Sequence, residues 1–103
     1  MYRHYKNGFY VSTKGKVKRV RNGKIKKIDL YTNKYGYKYF ILFNTVDKEK
    51  VYVHRAVAEL FIPQNDKSKY IVDHIDRDRG NNCVSNLRWV DKRENLKNSS
   101  RWE

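Results

Sequence analysis

The chain has 103 residues, 39% of them apolar, which suits one modest domain burying roughly 60–70% of its unfolded surface. Its 24 Lys and Arg against 11 Asp and Glu give a formal charge of +13, which repels itself in the compact state and favours a polyanionic partner. With 9 Tyr interleaved among those cations, the composition points to nucleic acid. No apolar run approaches the ~20 residues of a membrane span, and the N-terminus lacks the apolar core of a signal peptide. The basic residues also form no single amphipathic helix face, so no membrane partner is expected. Cys83 is the only cysteine. It excludes an internal disulfide or a Cys-rich zinc site, reads as a small buried filler, and fits a reducing, cytoplasmic setting.

From Phe9 to Val53 the pattern is β. Phe9-Tyr10-Val11 leads into Ser12-Thr13-Lys14-Gly15, and Lys16 to Val20 alternates basic and apolar. Arg21-Asn22-Gly23 carries the Asn-Gly signal of a tight hairpin. Lys24 to Leu30 alternates imperfectly, with Ile25, Ile28 and Leu30 on the apolar side, which predicts a bulge. Asn33 to Gly36 is a turn, Tyr37 to Asn44 the strongest strand, Thr45 to Glu49 another turn, and Lys50 to Val53 pairs back. The expected arrangement over residues 8–53 is an antiparallel meander of four or five short strands, apolar on one face and basic on the other. Like charges facing one another across strands cost stability unless a partner neutralises them. Lys16, Lys18, Arg19, Lys24 and Lys26 are therefore candidate phosphate contacts, although exposed edge lysines also deter aggregation with no ligand.

Residues 54–62 have helical period. Val53, Val57, Leu60 and Phe61 share a face, Arg55 and Glu59 form an exposed i,i+4 pair, and Pro63 ends the segment. The apolar face is expected to pack on the strands that follow and to hold Asp73 in place. His54 is read as a structural residue or, with Arg55, as a contact to a DNA groove, and not as a metal ligand. Gln64 to Lys69 is a polar surface loop.

The stretch from 70 to 98 carries the chemistry. Tyr70-Ile71-Val72 ends in Asp73 and His74. A turn-rich segment follows, Asp76-Arg77-Asp78-Arg79-Gly80-Asn81-Asn82. Leu87 to Val90 is β-prone, and Asp91-x-x-Glu94 is an acidic analogue of a capping box that starts a helix holding Asn95 in its first turn. A carboxylate and an amide oxygen are hard ligands able to hold Mg²⁺ while leaving it waters and room for a phosphate. A neutral imidazole can take a proton from water near physiological pH. On a regular strand Asp73 and His74 point to opposite sides, so both face one site only where the backbone twists or leaves the sheet. Beyond the motif, Trp102 is read either as part of a frayed tail or as an aromatic anchor folding back on the sheet.

In order and spacing, YIVDHID, NN, SNLRWV and EN resemble the HNH endonucleases of the ββα-metal superfamily, in particular the phage and intron-homing branch whose last motif position is Asn. VYVHRAVAELFIP (Val51 to Pro63) and YVSTKGKVKRV (Tyr10 to Val20) resemble segments that precede the motif in that branch. The resemblance implies an α+β fold, with the β meander followed by a short helix and a ββα-metal motif, in a single domain over 1–103. It implies a DNA endonuclease with His74 as general base and Asn86 as the catalytic residue bracing the loop. One divalent cation, Mg²⁺ or Mn²⁺, would lie on Asp73 and Asn95, and the products would carry 5′-phosphate and 3′-hydroxyl. It further implies a bacterial or phage-infected host cell. Monomer and homodimer both stay open from the sequence: a monomer with one site would nick, whereas a symmetric dimer could cut both strands.

Members often carry Gly directly after the His-x-Asp step. Here Arg77 stands there, which predicts a different turn, with Arg77 and Arg79 free to reach phosphate; Arg88 is a further candidate DNA contact. The alternative from another class is a non-catalytic nucleic-acid-binding module that keeps the fold for its basic sheet. A ribosomal or RNA-packaging role explains the charge but leaves the motif unused.

Overall fold

Two Asn-Gly turns shape the first sheet. Asn7 and Asn22 adopt positive φ (49° and 52°) and each is followed by a left-handed glycine, the pairing that closes a tight antiparallel hairpin. The strands joined in this way are β1 (Tyr2–Lys6), β2 (Phe9–Ser12), β3 (Val17–Arg21) and β4 (Lys24–Lys27), antiparallel in the order β1-β2-β3-β4. A second antiparallel sheet holds β5 (Tyr31–Thr32), β6 (Lys38–Phe43) and β7 (Lys48–Tyr52). Helix α1 (Val53–Phe61) follows. The chain then makes β8 (Ile71–His74), a 3-10 turn (Val84–Asn86), β9 (Leu87–Val90) and α2 (Lys92–Asn98), with β8 and β9 paired antiparallel. The computed structural model describes residues 1–43 and 46–98. The end of the expected strand at Asn44 and both readings of Trp102 lie outside the described residues.

The expected meander is present, but it is divided differently. Among the described residues six strands lie between 8 and 53 instead of four or five, a further strand, β1, precedes them, and together they form two sheets. Strand β1 escapes a pattern reading because only Tyr5 in it is even partly covered, so it shows no apolar period. The expected bulged strand from Lys24 to Leu30 stops at Lys27, with all four of its residues exposed. Ile25 is 68% exposed, because it faces Val20 near the tip of the β3–β4 hairpin, away from the core. Ile28 and Leu30 do pack on the core, but only after the chain has left the sheet.

Helix α1 is what the sheets share. Val53, Ala56, Val57 and Ala58 are buried on it, and it packs against β1, β2, β6, β7, β8 and β9. Phe9 of β2 stacks on Phe40 of β6 at 5.9 Å between ring centroids, and Val72 and Leu87 complete the cluster from the third sheet. Polar ties lock the helix end. The Arg3 guanidinium donates to the Leu60 carbonyl, and the Trp89 indole donates to the Ile62 carbonyl at 3.0 Å. Glu59 accepts from the Tyr5 hydroxyl; burial, then the Glu59 carboxylate, push that phenol up to about 12. Among the described residues no helix is long and apolar enough to cross a membrane.

Candidate active site

His74 is the last residue of β8 and is buried, with 5% of its surface exposed. Its Nε2 lies 2.8 Å from Oδ1 of Asn82, itself buried. An amide oxygen only accepts, so Nε2 carries the ring proton and the lone pair is on Nδ1.

Asn82 is held from behind by the first sheet. After β2 the chain turns tightly, with the Ser12 hydroxyl accepting from the backbone N–H groups of Lys14 and Lys16. At the tip sits Gly15, with φ +78°; a Cβ there would fall 2.8 Å from the Asn82 Cβ. Next to it the Val84 N–H donates to the Thr13 carbonyl at 2.8 Å. The hairpin Val11-Ser12-x-x-Gly15-x-Val17 is thus the buttress of the histidine's partner.

The loop between β8 and β9 closes around Asn86, which is buried. Its Nδ2 donates to Asp76 Oδ1 and to the Asn81 carbonyl, both at 2.9 Å, and its Oδ1 accepts from the Asp76 N–H at 3.0 Å. Asp76 also accepts from Asn81 Nδ2 and the Asp78 N–H, and these hydrogen bonds, Asn81's foremost, hold its carboxyl below its ordinary value. Arg77 is left-handed, with φ 65°, a conformation that a glycine takes without cost and that an L side chain rarely adopts.

An aromatic wall covers the other side of His74. The His54 ring lies 5.1 Å from it and stacks on Tyr37, whose ring is 6.0 Å from His74. Burial, followed by His74 and Arg55, pulls the His54 imidazole down to about 3, and its Nδ1 is buried without a hydrogen-bond partner. The His54 ring is therefore held neutral, packed against Tyr37 and His74 and partly exposed.

Asp73 has different neighbours. Its side chain is 16% exposed and pairs with Arg88 directly across the strands. Both guanidinium contacts, at 3.0 Å, fall on Oδ2. Helix α2 packs on β8 and β9 and opens with the expected capping box. The Glu94 N–H donates to Asp91 Oδ1 at 2.7 Å, and the Asp91 N–H donates to Glu94 Oε1 at 3.1 Å. Lys69 pairs with Glu94 at 2.6 Å, and that hydrogen bond comes first in lowering the Glu94 pKa. Asn95 is partly buried in the first turn of this helix, its N–H donating to the Asp91 carbonyl at 3.0 Å. Among the described residues no three His, Cys, Asp or Glu side chains cluster to hold a metal. The donors on offer are one carboxylate and one amide, a sparse oxygen set that fits a hard cation keeping most of its waters.

The basic candidates fall into two groups. Arg19, Lys24 and Lys26, with Arg21 and Asn22, line one open recess on the β3–β4 hairpin. Arg19–Lys26 and Arg21–Lys24 are facing pairs there, and Lys18–Lys27 is a facing pair on the opposite side of the hairpin. Lys16 is exposed in the preceding turn, and Lys18 turns to the other face, 4.1 Å over the Tyr2 ring. Three of the other four candidate arginines are tied into the fold. Arg55 donates to the Tyr70 carbonyl and pairs with Glu59, Arg79 donates to the Tyr35 carbonyl, and Arg88 holds Asp73. Arg77 is exposed. Asn82, Asp76 and Tyr37 were not singled out by the sequence, where Asn81-Asn82 reads as a turn. The one available signal was the second Asn of that pair, and burial, which sequence does not show, gives it its role.

Two strands, a polar loop braced by one asparagine, and a helix packed across the strands make up the ββα-metal fold. A profile of the HNH endonuclease family matches residues 51–97. The DNA endonuclease I-HmuI of Bacillus phage SP01 is 34% identical over 94 residues, covering 91% of this chain and 52% of that protein. The uncharacterized HNH endonuclease L245 of Acanthamoeba polyphaga mimivirus is 33% identical over 90 residues, 86% of this chain and 26% of the relative. A solved structure, of DNA binding and cleavage by the HNH homing endonuclease I-HmuI, matches with a TM-score of 0.81 at 30% identity over 95% of this chain and 56% of that one. The chain belongs to the HNH endonuclease family. It spans about half the length of I-HmuI and about a quarter of the mimivirus protein.

Proposed function

We propose that the protein is a DNA endonuclease that hydrolyses phosphodiester bonds, with His74 as general base and Asp73 and Asn95 as the ligands of one divalent cation, Mg²⁺ or Mn²⁺. The observation that carries this reading is the Nε2–Asn82 contact at 2.8 Å, which leaves Nδ1 as the basic nitrogen. Asn82 fixes the tautomer and the ring plane, so Nδ1 takes the proton from an attacking water. His54, held neutral alongside, adds no like charge as His74 becomes an imidazolium. Asn86 keeps the loop between His74 and β9 at one length through its three hydrogen bonds. When bound, the cation supplies Lewis-acid stabilisation of the charge that develops on the phosphate and the leaving 3′-oxygen. Asp73 retains its Oδ1 for that cation, since Arg88 occupies only Oδ2.

DNA would lie along the basic hairpin. Three of the four facing β3–β4 pairs join two cations, and such pairs are destabilising until an anion lies between them. The molecule is 46 Å long, enough to follow more than one duplex turn of about 34–36 Å. The test is a supercoiled plasmid incubated with Mg²⁺ or Mn²⁺, with EDTA and His74→Ala as controls. Open-circle or linear product that disappears in both controls is expected. A native protein that retards the plasmid on a gel yet never cuts it with either metal would make the chain a binding module instead.

A further inference from the structure

The outward face of the second sheet carries an aromatic row that the chemistry above does not use. Tyr31, Tyr39 and Tyr52 face one another directly across β5, β6 and β7. Their ring centroids are 5.6 and 5.9 Å apart. The row continues from Tyr52 to His54 at 5.9 Å and from His54 to His74 at 5.1 Å. It thus runs unbroken from an edge strand, where Tyr31 is 53% exposed, to the histidine of the candidate site. The opposite face of the same sheet presents Phe40, Leu42 and Val51 to the core, so the tyrosines are not needed there. Cations are interleaved with the rings. Lys50 lies 4.7 Å over Tyr39, and Arg79 lies 4.7 Å over Tyr37. The β3–β4 hairpin has the opposite make-up, cations facing cations in three of four pairs. A basic surface alone suits the phosphates of intact duplex, whereas rings alternating with cations suit a strand whose bases are splayed out and stacked.

We infer that this face is a stacking platform for unpaired DNA bases next to the phosphate that is cut. The inference rests on the DNA-binding part of the function proposed above. Continuity of the row with His74 places such bases beside the scissile bond, so the preferred substrate is DNA that is already open there, such as a bubble, flap or frayed junction.

The test needs no cleavage. Fluorescence anisotropy in EDTA compares the full chain binding a short duplex with the same DNA carrying a central unpaired bubble labelled with 2-aminopurine. The native protein is expected to bind the bubble about tenfold or more tightly and to quench the probe. Tyr31→Leu with Tyr39→Leu is expected to lose both the preference and the quench while keeping duplex affinity. Tyr31→Phe with Tyr39→Phe keeps both. If the leucine pair fails to fold by circular dichroism, Tyr31→Leu alone, at the exposed end, should weaken the preference and the quench. Equal affinity of the native protein for both DNAs overturns the inference, as does an unchanged quench in a folded leucine variant. Failure to bind either DNA overturns instead the DNA reading on which it stands.

Discussion

Gly15 gives the sharpest connection between the first sheet and the catalytic loop, and Gly15→Ala isolates it. The residue has φ +78°, and the added methyl would sit 2.8 Å from the Asn82 Cβ and 3.2 Å from the Asn82 carbonyl oxygen. The left-handed backbone costs alanine about 1–2 kcal/mol. Relieving the overlap with a buried neighbour adds about 1–3 kcal/mol. Together they amount to about 2–5 kcal/mol, a fall in Tm of roughly 10–30 °C for a domain of this size. Gly23→Ala is the matched comparison, since Gly23 has φ +74° with nothing within 4 Å of its added methyl. It should show the backbone cost alone, about 1–2 kcal/mol. Thermal unfolding followed by circular dichroism measures both. Because the displaced neighbour is Asn82, Gly15→Ala should also slow DNA cleavage at temperatures where it is folded, and Gly23→Ala should not. Equal Tm shifts for the two variants would refute the buttress.

Arg77→Gly removes a side chain from a left-handed position and should stabilise the protein by about 1 kcal/mol in urea titration. Asn86→Asp keeps the shape but turns two donated hydrogen bonds at 2.9 Å into oxygen–oxygen contacts, one of them with the Asp76 carboxylate. A loss of about 2–4 kcal/mol is expected at pH 7, partly recovered as the pH falls and the new carboxylate protonates. His54 is held down at about 3 from 6.5 by burial, so below pH 6.5 the unfolded chain takes up a proton that the folded chain refuses. Stability is therefore full above pH 6.5 and falls as the pH drops towards 3, by up to about 1.4 kcal/mol per unit. Asp76 and Glu94, also lowered, contribute further loss only in the carboxylate range below about pH 5. His54→Gln should flatten the decline between pH 6.5 and about 5 in urea titrations across that range.

The parts legible in the sequence were those with local signals. The capping box at Asp91 and Glu94, the Asn22-Gly23 hairpin, the Arg55–Glu59 pair and the helix ending before Pro63 each rest on contacts within a few residues, and each is present. The parts missed depend on burial or on distant partners. Tyr2–Lys6 forms a strand because it pairs with Phe9–Ser12, not because its own residues alternate. Asn82 reads as a turn residue until the Ser12–Gly15 hairpin, far away in sequence, is seen packed behind it. Of the arginines read as free for phosphate, Arg79 and Arg88 are engaged with protein groups more than ten residues away. His54 behaves likewise: on a surface it would titrate near its ordinary value, and the aromatic wall around it decides otherwise.

The most direct measurement is chemical rescue of His74→Ala. Supercoiled plasmid is incubated with the variant, Mg²⁺ and increasing imidazole, beside the native protein and EDTA controls. Cleavage should be lost in the variant, return in proportion to added imidazole, and vanish again with EDTA. Cleavage by His74→Ala at the native rate would contradict the assignment of His74 as the base, as would a folded, DNA-binding variant that imidazole leaves inactive.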